Sequence, residues 1–303
     1  MPGRAEPPTI KAMNNVSRRT VLAAGAAAGL AAAVPAQAQS RGKVVLITGG
    51  TSGIGKAAAK AFAAQGAKVG FCGRREQLGR QVEHEIRAAG GEARYIRADV
   101  RKPDEVKAFV DAVAARYGCL DIAFNNAGVG GSARPHELTL EQWDDVMDTN
   151  ARGVFLALKY EIPHMLKAGR GVIICTSSSA AEQARPSGAV YTASKRAVQG
   201  IVKAAAIEYG NKGIRVNAIL PGTTDTPFVR PPGFPDDAWA KFKAAYGPLN
   251  IDGAERMAEP EEIANAVVGL AGDGFSYLNG ASVVVDGGAT AGRKMIIPPG
   301  FSG

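Results

Sequence analysis

The stretch Lys43-Val44-Val45-Leu46-Ile47-Thr48-Gly49-Gly50-Thr51-Ser52-Gly53-Ile54-Gly55 decides how the rest of the chain is read. Lys43 to Ile47 is a short apolar run rich in β-branched residues, which reads as a buried strand. A glycine-rich turn follows at once, and an alanine-rich helical pattern then continues through Gln65. Strand, tight turn and helix in this order bring the free N–H groups and the positive dipole end of a helix to a sheet edge, where they favour a phosphate. Gly49, Gly53 and Gly55 let the backbone turn sharply and approach a pyrophosphate, with Thr51, Ser52 and Ile54 completing the turn. The spacing is G-x-x-x-G-x-G rather than the commoner G-x-G-x-x-G, so the turn alone leaves other readings open.

Working outward, a second strand over Lys68 to Cys72 ends in Gly73-Arg74-Arg75. An acid at this position binds a ribose 2′-hydroxyl, whereas an Arg accommodates a 2′-phosphate. No acid stands there, and the fork of Arg74 matches phosphate geometry, so NADP is expected ahead of NAD. A third strand, Ala93 to Ile96, leads into Ala98-Asp99-Val100, and Pro103 opens a helix. The fourth, Leu120 to Phe124, delivers Asn125-Asn126-Ala127-Gly128. The long helical stretch from Thr139 to Lys167 carries Asn150 shortly before Gly153, both poor mid-helix residues, which predicts a local distortion. A fifth strand, Val172 to Cys175, delivers Thr176-Ser177-Ser178 and is followed by a helix to about Tyr209. A sixth, Ile214 to Leu220, ends in Pro221-Gly222 and runs on to Thr226-Pro227, and the last covers Ala281 to Val285. Strands alternating with helices predict an α/β fold: one domain, a doubly wound parallel sheet of about seven strands, helices on both faces. Ligands of such sheets bind beyond the carboxyl ends of the strands, so these motifs should line one rim.

The composition suits one large core: 303 residues, 46% hydrophobic and 21% charged, which excludes disordered, collagenous and disulfide-scaffold classes. The formal charge of +8 comes without a basic run or basic-aromatic interleaving, so no nucleic-acid partner is expected. Cys72, Cys119 and Cys175 lack metal-ligand spacing and read as core fillers. The first forty residues are different material. Arg18-Arg19, an apolar run from Val21 to Val34 and Ala36-Gln37-Ala38 describe a secretory leader of twin-arginine type over residues 1–38, cleaved after Ala38. The run is too short for a stable membrane anchor, which needs about 20 apolar residues.

Tyr191 and Lys195 stand four apart in a segment of strong helix formers, so both side chains emerge on one helix face. A phenol beside an ammonium is an adjustable proton donor, the positive charge favouring the phenolate. The glycine turn, Asn125-Asn126-Ala127-Gly128, Asn150, Ser178, Tyr191-x-x-x-Lys195 and Pro221-Gly222, in this order from about Gly42 to Gly288, resemble the one-domain short-chain dehydrogenases/reductases. The resemblance implies a Rossmann-type domain over 42–288 that transfers a hydride between NADP(H), with NAD as the alternative, and a small alcohol or ketone. It implies Tyr191 as general acid/base, Ser178 as hydrogen-bond donor to the substrate oxygen, and Lys195 holding the nicotinamide ribose and lowering the Tyr191 pKa. Asn150 would hold a proton-relaying water. Asp99, with Val100 beside it, would meet the adenine, Asn125 the ribose side and Thr226 the nicotinamide end, with Ala127, Gly128, Pro221 and Gly222 as further cofactor contacts. The aromatic and proline-rich segment 227–250 would form a substrate lid, 289–303 a tail, and the helices holding Asn150 and Tyr191 a homotetramer or homodimer interface. An NAD-dependent sugar- or sterol-type dehydrogenase and a non-catalytic nucleotide-binding protein are the alternatives. The leader predicts a periplasmic enzyme, with a cytoplasmic one if the leader does not function. Cell fractionation should recover the processed chain from the periplasm, and recovery of the uncleaved chain from the cytoplasm alone would refute the export reading.

Overall fold

The computed structural model describes residues 40–295 and Ile297; the leader over 1–38 and the rest of the tail lie outside the described residues. Seven strands form: β1 (Val44–Thr48), β2 (Lys68–Gly73), β3 (Glu92–Arg97), β4 (Ile122–Asn125), β5 (Gly171–Thr176), β6 (Ile214–Pro221) and β7 (Ser282–Val285). They lie in the order β3-β2-β1-β4-β5-β6-β7. Every pairing is parallel. The order reverses between β1 and β4, whose register sets Thr48 beside Asn125. A crevice opens at such a switch point, beyond the carboxyl ends of the strands.

Alternate residues of β1 feed two cores, as strand geometry requires. Val44 and Leu46 pack with Phe109 and Val113 of α3 (Pro103–Tyr117), Val154 and Ile162 of α5 (Gly153–Ala168) and Val198 and Val202 of α6 (Ala189–Tyr209). Val45 and Ile47 face the other way, onto Phe62 of α1 (Gly53–Ala64), Val82 and Ile86 of α2 (Glu76–Ala88), and Ile263 and Val267 of α8 (Pro260–Ala271). Phe62, Phe71, Phe109 and Phe124 are fully buried, each contributing roughly 1.5–3 kcal/mol.

The distortion expected near Asn150 is present. Helix α4 (Leu140–Met147) begins at a Thr139–Gln142 capping box and passes into a π-helical turn over Asp148–Arg152 before α5 begins. The extra residue of a π turn rotates Asn150 inward, where it is fully buried. Gly153 eases the exit, because a Cβ there would stand 3.0 Å from Val100 Cγ2. Helix α7 (Asp236–Asn250) lies within the segment read as a lid.

A carboxyl and a carboxamide pair in the interior of the fold. Glu161 of α5 is fully buried, and its Oε2 accepts from Asn125 Nδ2 at 2.9 Å. This corrects the ribose contact expected of Asn125: the carboxamide turns into the core instead of the cleft. Glu161 Oε1 and Asn125 Oδ1 have no partner, and a proton on the carboxyl supplies the donor that both oxygens lack. Burial raises the Glu161 carboxyl from 4.5 to about 7. The folded state therefore holds this proton more tightly than the unfolded chain. Its contribution is fully present below the unfolded value and is lost as pH rises through about 7. Between about pH 5 and pH 8, unfolding free energy should decline more steeply in the native protein than in Glu161→Gln; parallel pH profiles in denaturant titrations would contradict this assignment.

Candidate active site

A cleft of about 680 Å³ opens at the carboxyl ends of the strands. Its floor is the glycine turn. Gly49 sits at φ 69° and Gly53 at φ 52°, in the left-handed region that favours glycine, and a Cβ on Gly53 would meet Thr226 at 3.0 Å. Gly55 stands behind the wall, where a Cβ would lie 2.3 Å from Gly49 O; its part is to let α1 approach β1. Thr48 Oγ1 accepts from the backbone N–H groups of Asn126 and Ala127 at 3.0 and 3.1 Å, fastening the β4 exit to the same turn. Ser52 caps α1 without a side-chain hydrogen bond, and no acid occupies the first turn. The helix N–H groups are thus left for a ligand, and this suits a dinucleotide pyrophosphate.

Thr51, Ser52, Ile54, Ala127, Gly128, Pro221, Gly222 and Thr226 line the cleft with Gly49 and Gly53, as do Arg74, Asp99 and Val100. Arg75, which the sequence does not single out, also lines it, and its Nη2 donates to Thr51 Oγ1 at 3.1 Å and Ser52 Oγ at 2.6 Å. The adjacent arginines are visible in the sequence, but the reach of Arg75 back across the turn is not. Asp99 faces the cleft with its carboxylate held bidentately by Arg101 at 2.6 and 3.0 Å, a pairing that lowers its pKa. Arg101 also binds Asp145 at 2.6 Å, so this rim is braced from α4.

Ser178, Tyr191 and Lys195 converge on the other side. Lys195 is buried, its Nζ donating to Thr176 O at 2.9 Å and lying 5.6 Å from the Tyr191 ring centroid. Ser177, Ser178 and Ser179 all line the cleft, but the Ser177 hydroxyl is spent on Lys195 O at 2.8 Å. Ser178 Oγ accepts from Ala180 N at 3.1 Å, which leaves its own hydrogen available on the cleft side, beside the Tyr191 phenol. Burial pushes the Lys195 ammonium down to about 8. Burial also raises the Tyr191 phenol, opposed by the Ser178 hydroxyl.

Asn150 stands behind the cleft as a strut. Its Oδ1 accepts from Val129 N at 2.8 Å, and its Nδ2 donates to Val129 O at 2.9 Å and to Ser194 Oγ at 3.0 Å. Ser194 donates in turn to Tyr191 O at 2.7 Å. Both amide hydrogens are spent inside the protein. Over the opening, Phe228 sits 5.9 Å from the Tyr191 ring, and Trp239 of α7 donates to Asp225 Oδ1 at 2.8 Å. Lys243 joins the same carboxylate. Among the described residues no cluster of metal-ligating side chains occurs, and no helix is long and apolar enough to cross a membrane.

A switch-point crevice floored by glycine and flanked by Ser178, Tyr191 and Lys195 defines an oxidoreductase architecture, and comparison with known proteins gives the same class. The sequence model of a family described as enoyl-(acyl carrier protein) reductase matches residues 48–290. A cyclohexanol dehydrogenase of Acinetobacter sp. (strain SE19) is 38% identical over 250 residues, covering 82% of this chain and 95% of that one. A 3-alpha-(or 20-beta)-hydroxysteroid dehydrogenase of Mycobacterium bovis (strain ATCC BAA-935 / AF2122/97) is 39% identical over 251 residues, covering 83% and 90%. The crystal structure of a 3-ketoacyl-(acyl-carrier-protein) reductase from Brucella melitensis complexed with NADH superposes with a TM-score of 0.74 at 33% identity, covering 82% and 99%. That of a single-substitution variant of actinorhodin polyketide ketoreductase with NADPH gives 0.75 at 34%, covering 82% and 97%. The chain belongs to the short-chain dehydrogenase/reductase family, and it is an oxidoreductase acting on CH–OH groups.

Asn150→Ala should strand both Val129 backbone groups and cost about 2–3 kcal/mol of stability, with turnover falling as the Tyr191 backbone loses its brace. An unchanged unfolding midpoint in denaturant would refute the strut.

Proposed function

We propose that this enzyme interconverts a secondary alcohol and its ketone on a small ring, working with NADP(H) ahead of NAD(H). The observation that carries the reading is that Ser178 and Tyr191 aim two O–H groups into one cleft beside a buried ammonium. A carbonyl oxygen gains negative charge as its carbon is reduced and needs a proton and pre-set donors at that moment. Ser178 holds the oxygen. Tyr191 gives it the proton, and burial keeps the phenol in the protonated form that this direction requires. Lys195, with one hydrogen spent on Thr176 O, has two others for the ribose beside the reacting ring and for the phenol oxygen. A nicotinamide dinucleotide, when bound, supplies the hydride. Support for a ring substrate comes from the cyclohexanol and hydroxysteroid dehydrogenases among the relatives.

The preference for NADP rests on Arg74 and Arg75, exposed at the end of β2 where no acid competes for a ribose hydroxyl. The sterol-type alternative draws on the hydroxysteroid relative and differs in cofactor and direction. The Arg18-Arg19 leader supports export of the enzyme from the cytoplasm.

Tyr191→Phe should lower kcat for cyclohexanone by roughly 10²- to 10⁴-fold, with dinucleotide affinity read by fluorescence almost unmoved. In the same assay Arg74→Asp should move the NADP-to-NAD ratio of kcat/KM toward NAD by about tenfold. Full turnover without the phenol refutes the acid, and an unmoved ratio refutes the phosphate fork.

A further inference from the structure

The cleft has a cation that the chemistry above does not use. Of its five charged lining residues, Arg74, Arg75 and Asp99 stand at the ends of β2 and β3, and Lys195 lies beneath Tyr191. The fifth is Arg185, on the loop that enters α6. It is the only charged side chain among the lining residues on the substrate side, where Ser179, Pro186, Phe228, Val229 and Tyr246 also line the cleft.

Arg185 is held in place without being neutralised. Its Nη1 donates to Tyr246 Oη at 2.5 Å, and its guanidinium carbon lies 6.0 Å from the centre of the Tyr246 ring. Tyr246 Oη lies in turn 3.1 Å from Thr223 Oγ1, at the exit of β6. The nearest carboxylate along the chain, Glu182, is engaged by Gln199 at 2.6 Å and Arg196 at 3.3 Å. Among the described residues no carboxylate pairs with Arg185, and its Nε and Nη2 make no hydrogen bond. The loop itself is pinned at two points: Arg185 O accepts from Gly188 N at 3.0 Å, and Ser187 O accepts from Ala133 N at 3.0 Å. Ser187 adopts φ 62°, one of two non-glycine residues with positive φ among those described. Such a conformation persists only where its surroundings impose it, and such residues concentrate at ligand-holding sites.

We propose that the substrate carries a carboxylate, received by the open Nε/Nη2 edge of Arg185 while its ketone or alcohol carbon lies at Tyr191. The guanidinium fork fits a carboxylate with two parallel N–H···O bonds, and the Tyr246 ring and hydroxyl fix the plane in which that fork is offered. This rests on the reading of Tyr191 as the site of carbonyl chemistry. It adds the second anchor, which sets the distance between the reacting carbon and the acid group. Arg185 is a specificity-determining residue: it binds a part of the substrate remote from the reaction.

The test compares 4-oxocyclohexanecarboxylate with its methyl ester, which differ in the anionic group alone. The native enzyme should favour the acid in kcat/KM by about tenfold, the worth of a charged hydrogen bond at a partly exposed site. In Arg185→Met the ratio should collapse toward one, mainly through KM of the acid, and Arg185→Lys should restore part of it. A ratio near one in the native enzyme, or one that persists in Arg185→Met because both substrates fall alike, overturns the proposal and leaves Arg185 as a latch on α7. Failure of the underlying reading looks different: neither ketone is turned over with either dinucleotide. Calorimetric binding of 4-oxocyclohexanecarboxylate then decides, with weaker binding to Arg185→Met supporting the anchor and equal binding to both proteins overturning it.

Discussion

Backbones meet almost without side chains where β1 and β4 diverge, and the rim is arranged around that approach. A Cβ on Gly55 would lie 2.3 Å from Gly49 O and 2.6 Å from Asn126 Nδ2, and one on Gly49 would lie 2.8 Å from Ala127 Cα. No L side chain fits between these atoms. Thr48 then ties the two strand exits together by accepting from both Asn126 N and Ala127 N. The helix that follows starts hard against the sheet with its N–H groups exposed to the cleft, which makes the floor a phosphate cradle.

The opposite wall depends on buried polar groups that brace one another. Lys195 is taken out of water at a cost expressed in its lowered pKa, and Thr176 O offsets part of that cost. Ser177 holds the Lys195 backbone, Ser194 holds the Tyr191 backbone, and Asn150 holds Ser194 and the Val129 segment together. The π turn makes this arrangement available by rotating Asn150 inward. A regular helix would leave Asn150 at another azimuth, and Ser194 would lose its partner.

Sequence alone disclosed the strands, their parallel alternation, the glycine turn and the rim residues, because each rests on local spacing or on the general placement of sites at strand ends. The distortion at Asn150 was legible as well, since Asn150 and Gly153 are poor helix formers. What stayed hidden depends on which way a side chain turns. Asn125 pairs with Glu161, 36 residues away, and nothing in the Asn125-Asn126 repeat says that the first faces the core and the second the turn. Arg75 reaches Thr51 across 24 residues. The depth of Lys195 escapes the sequence for a related reason: helical spacing puts it on the face of Tyr191 but does not report that it is buried.

The residues proposed to meet a ligand are those whose hydrogen-bonding capacity the fold leaves incomplete on the cleft side. Ser178 has its acceptor side taken by Ala180 and keeps a hydrogen; Lys195 has one hydrogen on Thr176 O and keeps two; Arg185 has one nitrogen on Tyr246 and keeps the other edge. Asn150, Ser177 and Ser194, equally polar and equally near, are engaged inside the protein and act as supports. Partial satisfaction serves two ends at once. The bond already made fixes the direction of the group, and the unfilled valence points where a ligand must bring its own oxygen. A wholly unpaired donor in this wall would be free to rotate toward water, and a wholly paired one would have nothing to offer.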